Sequence, residues 1–522
     1  MSFLVGRQLA WAITATAGSG FLLFGYDQGV MSGLLTGDAF TATFPEINTT
    51  KTGHGSSSLQ GTVVAIYEIG CFLGAIMSLF VGERLGRRKC IMAGCVILSI
   101  GAALQCSAYS IPHLIVGRII AGIGNGLNTS TIPEPYHERC LTIALAVWHS
   151  ELSKAASRGK GLAIELAINI FGVMLSYWVD YGFSYNKSEA QFRFPIALQI
   201  VFAILTFIGV VFLPESPRWL IKHGNEDKAR HIIWSLQDNA REIDENDTVV
   251  SLDVQEISQA IREEQAASTE GSFKLIFQNG QQRFFYRTLL GMGGQMMQQV
   301  SGINLITYYA TVIFEESVGM DHNTALLLAG FNGVAYFFSS LIPIWVIDRL
   351  GRRKLMMFAV TGQGACMAIL AGTVWNGGHA AGLVATVMLF LFNFFFAVGL
   401  LAIPWLLPAE YSPLAIRTRS AALATATNWI FTFLVVEITP ISISNIGYRT
   451  YIYFAVFNFC FLPLIYFFYP EARNLTLEQI DHLFTGEKVK LYWHPSMGIA
   501  GDADARIAQG KDLESVNAQH VE

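Results

Sequence analysis

Charge is scarce in this chain. Only 14% of its 522 residues are Asp, Glu, Lys or Arg, against roughly a quarter in ordinary soluble domains, while 52% are hydrophobic. That shortage excludes a water-soluble globular body for most of the length. The formal net charge of -5 is too small to attract nucleic acid or an anionic surface. The seven cysteines (Cys71, Cys90, Cys95, Cys106, Cys140, Cys366, Cys460) sit almost entirely in apolar runs and show no CxxC or Cys/His ligand spacing. Neither disulfides nor a metal are expected. No nucleophile lies at a credible spacing from a base, and Gly122-Ile123-Gly124-Asn125-Gly126, which looks like a phosphate-binding loop, lies in an apolar span with no strand before it. Close helix packing is its expected role. An enzyme is therefore excluded, and no cofactor is called for.

What the chain has instead is long apolar runs. Runs of the roughly 20 residues a helix needs to cross the hydrocarbon core fall near 11–33, 58–80, 90–109, 112–133, 161–179 and 194–213, and again near 285–310, 324–347, 355–374, 381–407, 421–443 and 450–469. The first is too long for a signal-peptide core and runs into Asp27 rather than a small-residue cleavage site, so it is read as the first helix. A charged phrase occurs twice between such runs, as Gly82-Glu83-Arg84-Leu85-Gly86-Arg87-Arg88-Lys89 and as Asp348-Arg349-Leu350-Gly351-Arg352-Arg353-Lys354. The repeat predicts an all-α membrane protein of twelve transmembrane helices in two pseudo-symmetric six-helix halves. Its expected units are an N-terminal bundle over 1–213, a polar linker with short amphipathic helices over 214–283, a C-terminal bundle over 284–484 and a disordered tail over 485–522. Ile232, Ile233 and Leu236, then Val254, Ile257 and Ile261, supply the apolar faces of the linker helices.

Lys and Arg in alternate connections give the orientation. The turns carrying Arg84 to Lys89, Lys154 to Lys160, Arg349 to Lys354 and Arg417 to Arg419 share one side with the linker, against Lys51, Lys187, Arg193 and Arg449 on the other. Both termini are expected in the cytoplasm. Asn48-Thr49-Thr50 and Asn186-Lys187-Ser188 become outward-facing glycosylation candidates.

A polar side chain inside an apolar span needs a partner or a wet cavity. Asp27, in Phe24-Gly25-Tyr26-Asp27-Gln28, and Arg118, in the fourth span, are expected to pair, either as a device that alternates between cation and proton or as a fixed structural bridge. The seventh span carries Gln298, Gln299, Asn304, Tyr308 and Tyr309 around Gly302. Amides both donate and accept, which suits a hydroxylated ligand, and Gly302 permits a helix break. Trp405 after Pro404, and Asn428 beside Trp429, add a ring face and another amide. Phe24 joins these as a candidate substrate contact.

The ends of the two halves match again: Glu151 and Arg158 are seven positions apart, as are Glu410 and Arg417. With Glu83, Arg84, Arg87, Arg88, Asp348, Arg349, Arg352 and Arg353 they form an expected inner gate, whose individually weak pairs tie the halves together when the inner side is shut.

These residues resemble the sugar porters of the major facilitator superfamily. The resemblance covers nearly the whole chain and rests on Gly82 to Lys89, Glu151 to Arg158, Pro214-Glu215-Ser216-Pro217-Arg218-Trp219, Gln298 to Asn304, Asp348 to Lys354, and Pro470-Glu471-Ala472-Arg473 with Leu477-Glu478. It implies that Gln298, Gln299, Asn304, Asn428 and Trp405 bind sugar and that Asp27 with Arg118 accompanies proton coupling. Asn128-Thr129-Ser130-Thr131-Ile132-Pro133 and the stretch from Ile164 to Gly172 are similar to the fungal branch that includes glycerol/proton symporters. The chain departs from hexose carriers at Leu166, where they have Gln, at Tyr336, where they have Asn, at Ala397, where many have Glu, and at Ala472, where Thr is usual. A different or smaller polyol is implied.

One segment interrupts the pattern. Glu134-Pro135-Tyr136-His137-Glu138-Arg139-Cys140 and Leu141 to Ala146 stand where relatives run from Pro133 to Val147. Proline and charge should break the helix end there, and the segment reads either as a translated intron or as a genuine extra loop. The resulting expectation is a monomeric, multi-pass carrier in the plasma membrane that imports a sugar or polyol with a proton by alternating access. The alternatives are a passive uniporter and, given the short tail, less readily a non-transporting sugar sensor.

Overall fold

Apolar runs bounded by glycine and charge fold as helices because a backbone in lipid must satisfy its own hydrogen bonds. The computed structural model describes residues 4–49, 53–129, 158–269, 273–280, 282–413, 415–473, 480 and 483–484, and the regular structure among these residues is helical. The first six spans are α1 (Arg7–Leu34), α2 (Ser57–Leu85), α3 (Arg87–Cys106), α4 (Ile111–Thr129), α5 (Arg158–Ser184) and α6 (Ala190–Phe212). The second six are α7 (Phe284–Val300 and Ile303–Val312), α8 (His322–Leu341 and Pro343–Leu350), α9 (Arg352–Asn376), α10 (His379–Gly399 and Ile403–Tyr411), α11 (Arg417–Ile446) and α12 (Arg449–Phe468). Ten of these are long and apolar enough to cross a membrane; α4 and the broken α7 complete the twelve. The segment from Glu134 to Ala146 lies outside the described residues, as does Glu151.

The packing repeats with the sequence. In the first half α3 packs on α4 and α6, and α1 on α5; in the second α9 packs on α10 and α12, and α7 on α11. Across the seam α2 meets α11 and α5 meets α8, and adding six to each number turns one pair into the other. That is the signature of a pseudo-two-fold axis between homologous bundles.

The doubled charged phrase has a structural cause in this symmetry. At the α2–α3 turn the Glu215 carboxylate accepts the backbone N–H groups of Arg87 at 3.2 Å and Arg88 at 3.3 Å. At the α8–α9 turn Glu471 accepts those of Arg352 at 2.9 Å and Arg353 at 3.1 Å. Each acid caps the positive N-terminus of a span, and Ala472 beside Glu471 leaves that cap intact. Arg88 donates to the carbonyls of Val210 and Val211 at the end of α6, and Arg353 to Tyr466 at the end of α12. Between the halves, Pro217–Lys222, Glu226–Leu236 and Thr248–Thr269 are helical, with Ile233, Val250 and Val254 packed in a small core of their own.

At the basic end, where the inner gate was expected, Arg352 reaches Glu410 at 3.0 Å and Asp348 at 3.5 Å, both within its own half. Arg417 donates to the carbonyl of Ser412 at 2.9 Å, while Arg84 and Arg349 are exposed. Glu471 at the helix terminus and the Glu410 carboxylate thus hold Arg352 within its own half. The side chains of Glu83 and Arg158 lie outside the described set. Several hydrogen bonds that join the halves lie toward the opposite end: Thr311 to the Ser32 carbonyl at 2.7 Å, Thr62 to Glu437 at 2.8 Å, Tyr177 to the Thr307 carbonyl at 2.6 Å and Ser444 to Ser57 at 3.0 Å.

The glycine cluster on α4 does pack helices, as expected. A Cβ on Gly122 would stand 2.2 Å from the Tyr67 carbonyl oxygen and 2.9 Å from the Gly70 Cα of α2, so a side chain there must push two backbones apart. Gly122→Val is expected to lower the stability of the purified protein by about 1–3 kcal/mol, read as an earlier thermal transition. Gly372→Ala, where no atom lies within 4 Å, should leave the transition in place; equal melting of both variants would contradict this packing.

Candidate functional site

The polar site begins with two helix breaks. Gly302, with φ of 101°, interrupts α7 in a conformation that a side chain resists. Asn458 of α12 donates to the Ser301 carbonyl at 2.8 Å, answering one of the backbone groups the break exposes. In α10 the helix is interrupted between Gly399 and Ile403, which leaves the Leu400 and Leu401 carbonyls without a helical partner. Gln298 donates to both, at 2.7 and 3.0 Å. The two discontinuities are thus locked to each other by one amide.

From Gln298 the network spreads through the expected residues. Its Oε1 accepts from Asn428 at 3.0 Å and from Gln299 at 3.1 Å, and Gln299 in turn accepts from Asn304. Gln298 is 3% exposed and Asn304 6%, so these amides are withdrawn from lipid and bonded to one another. Gln295, one turn before Gln298, was not singled out in the sequence. It accepts from Asn428 at 2.6 Å and donates to the Pro404 carbonyl at 3.1 Å, next to the buried Trp405. Helical spacing from Gln298 was the signal that would have found it.

Phe24 of α1 meets Trp429 of α11 edge to face, centroids 5.9 Å apart, so the halves touch through rings beside the amides. Leu166, Tyr336 and Ala397 are all buried, which keeps the positions that depart from hexose carriers away from lipid.

Asp27 and Arg118 are not the direct pair expected. Tyr67 of α2 stands between them. Its hydroxyl donates to Asp27 Oδ2 at 2.9 Å, and its ring faces the Arg118 guanidinium, 5.3 Å from the centroid. Arg118 donates to the Val64 carbonyl at 2.8 Å. The next residue, Glu68, is a second fully buried acid, and Tyr308 of α7 donates to its Oε1 across the seam. Tyr308 was expected to face substrate together with Asn304, one turn before it. The sequence reasoning passed over Glu68, although the test that selected Asp27, an ionisable group within an apolar span, applies to it equally. Asp27 Oδ1 and Glu68 Oε2 are buried and have no hydrogen-bond partner. Chemically, the region can exchange hydroxyl hydrogen bonds at the amides and protons at two carboxylates. No cluster of His, Cys, Asp and Glu suited to a metal occurs among the described residues.

Comparison with known proteins agrees with this arrangement. A family model described as "Sugar (and other) transporter" matches residues 11–484. The sugar transporter STL1 of Saccharomyces cerevisiae is 37% identical over 92% of this chain and 82% of its own length. The MFS-type transporter oryC of Aspergillus oryzae is 38% identical over 96% and 89%. Among solved structures, the inward-open xylose transporter XylE from E. coli matches with a TM-score of 0.72 at 25% identity, covering 91% of this chain and all of that one (100%). A second structure, described as the proton:xylose symporter XylE with a bound bromodeoxyglucose, gives the same TM-score of 0.72. The chain belongs to the sugar transporter family of the major facilitator superfamily, and transport rather than catalysis is its work.

Proposed function

We propose that the chain imports a sugar or polyol together with a proton, by rocking its two halves about the amide cluster between them. The observation that carries this reading is the contact of Tyr308 with Glu68. It joins the helix bearing the amides to a buried acid of the other half. XylE, described as a proton:xylose symporter, is a precedent for the coupling in the same fold. The basic turns face the cytoplasm, by the bias of Lys and Arg toward that side, and the plasma membrane is the proposed location. Inter-half hydrogen bonds at the opposite end then correspond to a state shut toward the outside. The division at 213, 283 and 484 separates the two rocking units, the linker and the tail. One chain contains the whole set of groups, so a monomer suffices.

Gln298, Gln299, Asn304, Asn428 and Trp405 bind the substrate in this scheme by trading their mutual hydrogen bonds for substrate hydroxyls. Phe24 and Trp429 close on it from either side of the seam. Apolar Leu166 and Ala397 remove polar contacts that a hexose would use, which favours a shorter polyol. Gln298→Ala and Asn428→Ala should each raise the half-saturation concentration about tenfold, the equivalent of about 1.4 kcal/mol. The double variant should fall short of the product of the two, because the residues share a bond; simple multiplication in a counterflow assay would argue against a shared site. A panel of hexoses, pentoses and glycerol ranks the substrates.

Asp27 exchanges its proton with the outer solution and so permits reorientation past Arg118. Substrate addition to energised cells should alkalinise the medium. Asp27→Asn should abolish acid-driven accumulation yet spare substrate exchange, and undiminished uphill uptake in that variant removes Asp27 from the coupling.

A further inference from the structure

We infer that Glu68 is a second proton acceptor and that substrate enforces its protonation through Tyr308; this rests on the symport reading above. Glu68 lies wholly buried on α2. Every element packed around it contributes to its surroundings. Asp27 comes from α1, Arg118 from α4, and Tyr308 with the adjacent Tyr309 from α7. Tyr67 and Cys71 lie on its own helix. From α11 come Trp429 and, nearer the opposite end, Glu437, which accepts from Thr62. Two carboxylates therefore share one guanidinium, and each has a single tyrosine donor: Tyr67 for Asp27 and Tyr308 for Glu68.

The two donors are not equivalent. Tyr67 sits on the same helix as Glu68 and belongs to the half that carries both acids. Tyr308 sits on the second segment of α7, one turn beyond Asn304 and past the break at Gly302. A substrate seated on Asn304 is within a turn of the same phenol. When substrate hydroxyls engage Tyr308, Glu68 loses its donor while its other oxygen, Oε2, already has none. A buried carboxylate that has lost its donor and shares a single guanidinium with Asp27 is held more cheaply by taking a proton. A hydronium ion from the outer solution then gives its proton to a carboxylate oxygen, forming an O–H bond and releasing water. On the inner side substrate leaves, the phenol returns, and the proton passes from that oxygen to inner water. Empty carrier crosses with Glu68 ionised and bonded; loaded carrier crosses with Glu68 protonated. Substrate without a proton leaves two buried carboxylates on one guanidinium with no donor at Glu68, and that state does not cross.

Coupling of this kind is reciprocal. As the external pH falls, the wild-type half-saturation constant for substrate should fall, by at most roughly tenfold per pH unit for one proton. The experiment measures counterflow of labelled substrate in proteoliposomes against pH, with the proton-to-substrate ratio from medium alkalinisation. Glu68→Gln keeps an acceptor for Tyr308 but removes the titration, so it should equilibrate substrate without concentrating it and show a pH-independent half-saturation constant. Tyr308→Phe preserves the ring and severs the link, so its half-saturation constant should also be pH-independent; it decides the matter alone if Glu68→Gln does not reach the membrane. Wild-type pH dependence in either Glu68→Gln or Tyr308→Phe would overturn the inference and leave symport standing. A wild-type protein that neither alkalinises the medium nor responds to pH would instead sink the symport reading itself.

Discussion

An ionised side chain inside a bilayer must be answered by a cation, a donor or a proton, since its transfer to the hydrocarbon centre costs about 2.5–3.5 kcal/mol even by the most lenient measures. Around that constraint the interior is arranged. Asp27, Glu68 and Arg118 lie buried together, and two tyrosines mediate rather than a direct ion pair. Tyr67 keeps Asp27 and the guanidinium apart while touching both. A phenol is a better intermediary than contact would be, because a buried contact pair is deep and slow to open, whereas a hydrogen bond through a tyrosine is exchanged at modest cost.

The amide site obeys the same logic with neutral groups. Breaking α7 at Gly302 and α10 after Gly399 exposes carbonyls that lipid cannot satisfy. Gln298 and Gln295 bond to Leu400, Leu401 and Pro404, and Asn428 ties the two glutamines together. Each amide spans a helix break or a helix interface, so a ligand that displaces one bond loosens the packing of two elements. In the proposed scheme this makes the amide cluster a place where binding is converted to motion.

Much of this was legible in the residues. Twelve runs became twelve spans because length and apolarity leave a chain in lipid few other choices. The amides converge because Gln298, Gln299 and Asn304 lie close together in one span and Asn428 of α11 reaches Gln298. The doubled Arg turns also kept their promise of symmetry. Their purpose did not show in spacing: Glu215 and Glu471 lie more than a hundred residues from the helix ends they cap, and Arg352 finds Glu410 within its own half. Pairing rules applied to charge alone joined Asp27 to Arg118, because the rotation of α1, α2 and α4 about their axes, which admits Tyr67 between them, is set by glycine contacts such as Gly122 on Tyr67. Glu68 was hidden for the opposite reason, as a single acid in a run otherwise so apolar that the span was read as a whole.

The symmetry of the frame makes the asymmetry of its chemistry informative. The pairs α2–α11 and α5–α8 exchange under the pseudo-two-fold axis, and the end caps repeat almost atom for atom. Yet the interlocked amides lie in the second half, while Asp27, Glu68 and Arg118 lie in the first. Two bundles of common shape thus carry the interlocked amides in one and the buried Asp27, Glu68 and Arg118 in the other. In the proposed scheme information about occupancy crosses the seam, and direct bonds between groups of the two halves are places where it can. Ser32 with Thr311, Tyr177 with Thr307 and Thr62 with Glu437 cross it through neutral donors. Tyr308 to Glu68 crosses at the depth of both sites and ends on a buried acid. Rocking the halves apart on that side must break this bond, and breaking it changes what the acid requires. In the proposed scheme, then, motion and protonation are not linked by a distant path but meet at this contact.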